Sequence, residues 1–342
     1  AISAFEDAIS TQGTLTINAD SNLTMVGGLS TDAETLTLKG AGAVAIYNAT
    51  ATAAAAVGGA GNLDTIDASG MTGATGVTLQ LNAGTLSFTG SDGADSVSTE
   101  GLGLTAAIDG GDGVDTLIIT DALDLDTVAE GAKYSNFEVI YTPGDFAASL
   151  VPSAISHVLL GAGTVSGLTA TQAAMQTVAA GSVATVAYAL ANSTGKSDVL
   201  GLSLAPNTSK VTTSISTSLT ANGFETINIG TSASSSADPG ADSTSTIADI
   251  IADKATSIVL TGTAFTLSDI SSTTLPVSID ASALTGDRET TDPKGLTTSN
   301  DATTGSVITG SDYNDTFNIG AEGQTFNGGD GDDTFVIGSA DP

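Results

Sequence analysis

The chain has 342 residues, 38 acidic against seven basic side chains, a formal charge of −31 at pH 7, one His, and neither Cys nor Trp. So few Lys and Arg cannot neutralise a run of phosphates, so nucleic acid is not expected as a partner, and adsorption to anionic lipid would need a bridging cation. Without Cys there is no disulfide or thiolate metal chemistry, and a single His rules out a histidine-rich zinc site.

From the N-terminus, residues 1–60 predict alternating short strands, as in Glu34-Thr35-Leu36-Thr37-Leu38, with an Ala-rich stretch from Ala49 to Ala56. The start, Ala1 to Asp7, has no basic region or apolar signal core, and no stretch approaches the roughly 18 apolar residues of a membrane span. Export by another route, or a longer parent chain, is the expectation. Residues 61–142 carry a first module. Its phrase Ile66-Asp67-Ala68-Ser69-Gly70-Met71-Thr72-Gly73 recurs as Ile279-Asp280-Ala281-Ser282-Ala283-Leu284-Thr285-Gly286. Further on, Gly110-Gly111-Asp112-Gly113-Val114-Asp115-Thr116-Leu117-Ile118 fits the calcium-binding nonapeptide GGxGxDxUx, where U is apolar. A looser copy, Gly90-Ser91-Asp92-Gly93-Ala94-Asp95-Ser96-Val97, precedes it by 20 residues.

Such turns vanish across residues 143–222, where non-calcium coils or a small inserted domain are expected, with a short helix over Thr169 to Gln176. Strand phrases with a leading acid recur at Asp64-Thr65-Ile66, Glu138-Val139-Ile140 and Glu225-Thr226-Ile227. The second module spans residues 223–342. It is expected to hold an exposed loop from Ser234 to Gly240, then Ser243 as N-cap of a helix over Ile247 to Ile251, which feeds a strand at Ser257 to Leu260. A further loop is expected from Asp287 to Asp301, where Arg288, Pro293 and Lys294 interrupt the strand pattern.

Three nonapeptides in register close the module. Gly328-Gly329-Asp330-Gly331-Asp332-Asp333-Thr334-Phe335-Val336 is a full match, and Gly310-Ser311-Asp312-Tyr313-Asn314-Asp315-Thr316-Phe317 lies 18 residues earlier. The copy between them has Gln324 where Asp belongs, yet all three keep Thr then Phe: Thr316 and Phe317, Thr325 and Phe326, Thr334 and Phe335. If two nonapeptides make one coil of a parallel β-roll, the turns at 310 and 328 stack on one edge and the degenerate turn lies on the other. The expected carboxylate ligands are Asp92, Asp95, Asp112 and Asp115 on a first edge, and Asp312, Asp315, Asp330 and Asp333 on a second. Turns built on Gly90, Gly93, Gly110, Gly113, Gly310, Gly328 and Gly331 supply carbonyl oxygens to complete the shell for Ca2+. The alternative for the same residues is a set of solvated Asp-Gly turns.

The acids are 30 Asp and eight Glu, an excess that points to turns and cation ligands. Aromatics make up only 4 % of the chain, so thin stacked rungs suit the available side chains better than one large core. The expected class is therefore all-β: a parallel β-solenoid or β-roll with calcium-binding turns and a few short helices. Millimolar calcium is an extracellular condition, and binding modules outside cells have dissociation constants of roughly 10⁻⁴ to 10⁻³ M.

The nonapeptides and the low-lysine, Thr- and Ala-rich coils resemble the RTX (repeats-in-toxin) class of secreted bacterial proteins, and within it calcium-dependent surface-layer proteins. The RTX likeness covers residues 90–118 and 310–336; the surface-layer likeness covers more of the chain on weaker phrases. The resemblance implies type I secretion, folding on meeting calcium, and self-assembly into a crystalline sheet on the cell surface; cell-surface polysaccharide is a second candidate partner beside further copies of the chain. Type I signals of that class lie beyond the repeats, and this chain ends six residues after Val336. A signal outside this sequence, or a different route, is expected.

No HExxH or GxSxG motif occurs, and His157 lies in the apolar phrase Ile155-Ser156-His157-Val158-Leu159-Leu160. The expectation is a structural protein and not an enzyme. The alternatives are a calcium-dependent adhesin, the repeat region of a larger secreted effector, and a calcium-stabilised carbohydrate-active enzyme.

Overall fold

A computed structural model describes residues 2–6, 13–31, 33–48, 53–55, 57, 63–142, 144–152, 155, 157–205, 213–231, 244–271, 276–287, 292–298, 304–319 and 323–337. These residues are mostly β, their strands stack in parallel ladders, and the helices among them are no longer than four residues. None of those helices is long and apolar enough to cross a membrane. The chain divides into two compact units, Ala1–Thr142 with Ser149–His157, and Pro143–Ala148 with Val158–Pro342.

In the first unit, successive strands alternate between two sheets. One sheet runs Thr14–Asn18, Thr35–Gly40, Thr65–Met71, Ser87–Ser91, Ala107–Gly111, Tyr134–Ser135. The other runs Ile2–Glu6, Leu23–Ser30, Val44–Tyr47, Thr75–Leu81, Ala94–Thr99, Thr116–Ile119, Val139–Thr142. A strand of the first sheet, a short turn and the next strand of the second make one coil. The period-two phrases dictate this arrangement, because parallel in-register pairing places like residues over like. Leu36, Ile66, Phe88, Ile108 and Tyr134 form one buried stack, and Leu79, Val97, Leu117 and Ile140 another. Each aliphatic side chain so buried stabilises the fold by roughly 1.5–3 kcal/mol.

Between Thr120 and Lys133 the chain leaves the sheets for two short helical turns. Asp121 caps the 3-10 turn Ala122–Leu125, and Thr127 caps Val128–Gly131. The buried Lys133 ammonium pairs with Glu130, donates to the Leu102 carbonyl at 3.3 Å and lies 5.7 Å from the Tyr134 ring centroid. The Tyr134 hydroxyl donates to the Asp124 carbonyl at 3.2 Å.

The second unit repeats the alternation. One sheet runs His157–Leu160, Gln176–Val178, Val199–Leu204, Thr226–Thr231, Ser257–Gly262, Ser278–Leu284, Val307–Thr309, Thr325–Asn327. The other runs Phe146–Ala147, Gly163–Leu168, Ser182–Leu190, Ser214–Thr220, Ser245–Ile247, Phe265–Leu267, Lys294–Thr298, Asn314–Ile319, Thr334–Ile337, with Ile250–Ile251 and Ile270–Ser271 paired beside it. Leu200, Ile227, Ile258, Ile279, Ile308 and Phe326 stack in register along its first sheet. Both units are consistent with a parallel β-solenoid.

The expected short helix is present as Ala170–Ala173, with Thr169 and Gln172 forming a capping box. The expected helix over Ile247 to Ile251 is not. Its residues belong to the strands Ser245–Ile247 and Ile250–Ile251, where β-branched Ile247 and Ile250 are fully buried against Leu267 and Ile270. The loop expected from Asp287 to Asp301 contains the strand Lys294–Thr298, which pairs with Phe265–Leu267 and Asn314–Ile319. The loop at Ser234 to Gly240, the cap at Ser243 and Arg288 lie outside the described residues, as does most of the Ala-rich stretch.

Candidate metal centre

The turns after Ser87–Ser91 and Ala107–Gly111 both lead from the first sheet of their unit into the second, and the strands on either side pair in register. The two turns therefore stack, with the Asp112 N–H donating to the Ser91 carbonyl at 3.0 Å. In the second unit, Val307–Thr309 pairs with Thr325–Asn327 and Asn314–Ile319 with Thr334–Ile337, so the turns at 310 and 328 stack likewise. Gln324 lies on the return connection, which joins the opposite ends of the same strands. The 18-residue spacing thus does what the nonapeptide register required.

The glycines of the motif have two distinct jobs. Gly111 (φ +95°) and Gly113 (φ +127°) occupy the left-handed region, as do Gly329 and Gly331. The first glycine of each turn is needed for space. A Cβ on Gly110 would lie 2.9 Å from Asp115 Oδ2 and closer still to the Asn136 carbonyl oxygen. On Gly90 it would lie 2.5 Å from Asp95 Oδ2 and against the Gly110 carbonyl, and on Gly310 it would meet Asp315 Oδ2 and the Gly328 carbonyl. On Gly328 it would meet Asp333 Oδ2. At Gly90, Gly110 and Gly310, a small cradle holds one carboxylate of the same turn and one carbonyl of the next coil.

The Asp at the sixth motif position faces inward in three of the four turns, and Asp333 is half-buried. Asp95, Asp115 and Asp315 are at most 2 % exposed, whereas the third-position Asp92, Asp112, Asp312 and Asp330 are exposed. The buried carboxylates form a ladder from coil to coil. Asp95 Oδ1 accepts from Val77 N at 2.6 Å, Asp115 Oδ1 from Asp95 N at 2.7 Å, and Glu138 Oε2 from Asp115 N at 2.8 Å. In the second unit Asp315 accepts from Leu296 N, and Asp333 Oδ1 from Asp315 N at 3.0 Å. The same device recurs where Glu225 Oε2 accepts from Asp198 N at 2.8 Å.

The second carboxylate oxygens differ. Asp95 Oδ2 accepts from Ser91 N and Asp315 Oδ2 from Ser311 N, both at 2.7 Å, and both serine hydroxyls donate to the same carboxylates. Asp115 has Gly111 in place of that serine, and Gly111 N donates instead to Asp109 Oδ1 at 3.1 Å. Asp115 Oδ2 is left buried with no hydrogen-bond partner. Burial pushes the Asp115 carboxyl up to about 7 against the bond from Asp95 N, with the charges of Asp95, Glu138 and Asp109 adding to the rise. Burial also raises Asp95 and Asp315, opposed by their backbone and serine bonds.

Among the described residues no three carboxylate or imidazole groups gather into a metal cluster. The cradles instead present one carboxylate and backbone carbonyls, an all-oxygen donor set of the kind hard divalent cations take. With a buried, unpartnered carboxylate oxygen at one of them, the residues present fit Ca2+. Sequence reasoning missed Asn136 and Glu138. The first takes the left-handed conformation at φ 54° and the second caps the carboxylate ladder. The only signals were an Asn where a turn needs that conformation and an acid one residue before a strand. His157 begins the strand His157–Leu160, and burial lowers its pKa, favouring the neutral imidazole. No protein-family model matches the chain, and no curated protein aligns with it significantly.

Proposed function

We propose that this chain is a calcium-stapled parallel β-solenoid of the RTX kind, serving as a structural, self-assembling protein of an extracellular surface layer. The observation that carries the proposal is the stacking of first-glycine cradles in which a buried carboxylate meets a carbonyl of the next coil. Asp95, Asp115, Asp315 and Asp333 would hold Ca2+ together with carbonyls of the turns built on Gly90, Gly110, Gly310 and Gly328. Asp92, Asp112, Asp312 and Asp330 add negative field at the turn surface, and Gly93, Gly113 and Gly331 let the turns close. When bound, the cation supplies positive charge between coils whose carboxylates otherwise repel.

Each site with native-only binding adds RT ln(1 + [L]/Kd), about 2.7 kcal/mol at a hundredfold excess of calcium over Kd. A chain with 30 Asp and seven basic residues gains most where calcium is millimolar, outside the cell, which fits export followed by folding in place. Most strand-borne apolar side chains are buried in intra-unit stacks while Leu104, Leu123, Met175 and Ile337 stay exposed, and calcium-rigidified rungs would be the building units of a lattice of identical copies anchored to surface polysaccharide.

Electron microscopy of the purified full chain tests the proposal. Ordered two-dimensional sheets that form with calcium and disperse in EGTA are expected. Dispersed particles in both conditions overturn the lattice, and if such particles bind cell-surface polysaccharide only with calcium, the adhesin takes its place.

A further inference from the structure

We infer that the return edge of the first unit is a contact surface for a second copy of this chain, formed by exposed apolar side chains on successive connections. The inference rests on the self-assembly reading above and names a surface for it that calcium does not build.

In the first unit the calcium-type turns lead from one sheet to the other, and the return connections 82–86, 100–106 and 120–133 lie on the opposite edge. The strands they join pair in parallel ladders, so the connections stack. Leu86, Leu104, Leu123 and Val128 lie one or two to a connection, each at least half exposed. Turn chemistry does not ask for them, since such positions favour Gly, Asn, Asp and Ser. Burial does not either, because Thr85 and Leu102 are the residues that turn inward beside them.

The leucines are held on fixed loops. Asn82 Oδ1 accepts from Gly84 N at 2.9 Å, and Asn82 Nδ2 donates to the Val57 carbonyl at 2.9 Å. Buried Asp124 accepts from Gly101 N at 3.0 Å and from Leu102 N at 2.7 Å, which ties the third connection to the second. A preformed apolar surface loses little conformational entropy on docking.

Charge selects the partner. On a chain of −31, residues 82–86 and 101–106 include no charged side chain, whereas the opposite edge carries exposed Asp92 and Asp112. In the third connection Asp124 is buried and Glu130 pairs with Lys133, leaving Asp121 and Asp126, with Glu100, as the acids around the leucines. A basic protein or a calcium-bridged lipid surface would seat on the acidic edge. A polysaccharide needs an array of polar side chains, of which residues 82–86 and 101–106 leave only Thr105 well exposed. An identical edge matches in polarity and brings the fewest acids together. A two-fold contact of leucine edge on leucine edge is therefore the arrangement that the charge of the copies opposes least.

Sedimentation equilibrium of the full chain in millimolar calcium, below the concentration at which sheets form, tests the surface. The wild type is expected to dimerise reversibly, more tightly at about 1 M than at about 0.1 M NaCl, because salt screens the surrounding acids and spares apolar contact. Leu104→Asp should weaken dimerisation about tenfold or more while its circular dichroism melt in calcium stays that of the wild type. Because the chain has no Cys, Leu104→Cys should give bismaleimide-linked dimers, and the comparably exposed Met175→Cys in the other unit should give few. Sheets and dimers unchanged in Leu104→Asp, or equal crosslinking at the two cysteines, overturn this surface and leave self-assembly standing. A wild type that is monomeric and forms no sheets overturns both. Loss of polysaccharide or lipid-vesicle binding in Leu104→Asp with association unchanged also overturns it and gives the edge to that partner. If Leu104→Asp does not fold, the cysteine comparison decides.

Discussion

Asp115 combines full burial, an unpartnered oxygen and three acidic neighbours, and this fixes the sign of its pH dependence. Its folded pKa of about 7 lies above the ~3.9 of an unfolded Asp, so between those values the folded chain holds a proton that the unfolded chain has released. Without calcium, stability therefore rises as pH falls from above the folded value toward the unfolded one, and Asp95 and Asp315 push the same way. Chemical denaturation in EGTA across that window should show this slope, and Asp115→Asn should flatten it. An equal slope in the variant would assign the effect to overall charge repulsion. Ser91→Ala removes the hydroxyl bond to Asp95 and should cost about 1 kcal/mol. At this scale the sixth-position aspartates were legible because Gly and Asp stand at fixed offsets. Asn136 and Glu138 were not, since no glycine marks their turn and only the parallel register brings them beside Asp115.

Among the elements, the Phe residues of the nonapeptides form a graded test of packing. Phe317 is fully buried, its ring 5.5 Å from Phe326 and 5.2 Å from Phe335 between centroids, whereas Phe335 is 48 % exposed. Phe317→Ala should destabilise its unit by about 3–5 kcal/mol and Phe335→Ala by less than half of that, read from denaturant midpoints. Lys133→Ala should cost about 1–3 kcal/mol in the other unit by leaving the Leu102 carbonyl and the half-buried Glu130 without their charged partner. Period-two phrases made most strands legible. They failed at Ile247 to Ile251, where a short Ile-rich run after serines suits helix or strand locally, and neighbouring coils decide. They failed again at Lys294 to Thr298, where Pro293 and Lys294 read as a break although the strand they introduce fits between two neighbours.

For the whole chain, the same rule is used throughout each unit. A short strand buries alternate residues against the rungs above and below, and a turn carries the chain to the partner sheet. Contacts of this kind are local in the stack, so length adds coils and not a larger core. The 18-residue spacing and the invariant Thr-Phe made that architecture readable from sequence, while the closing segment from Thr120 to Lys133 was not, because its capped turns carry no repeat. A formal charge of −31 works against a compact fold at every coil, and divalent cations between coils are what the account sets against it. Thermal unfolding followed by circular dichroism, with millimolar calcium and with EGTA, tests that claim most directly. The account predicts a strand signal that melts at markedly higher temperature with calcium than with chelator; superimposable melts in the two conditions would contradict it.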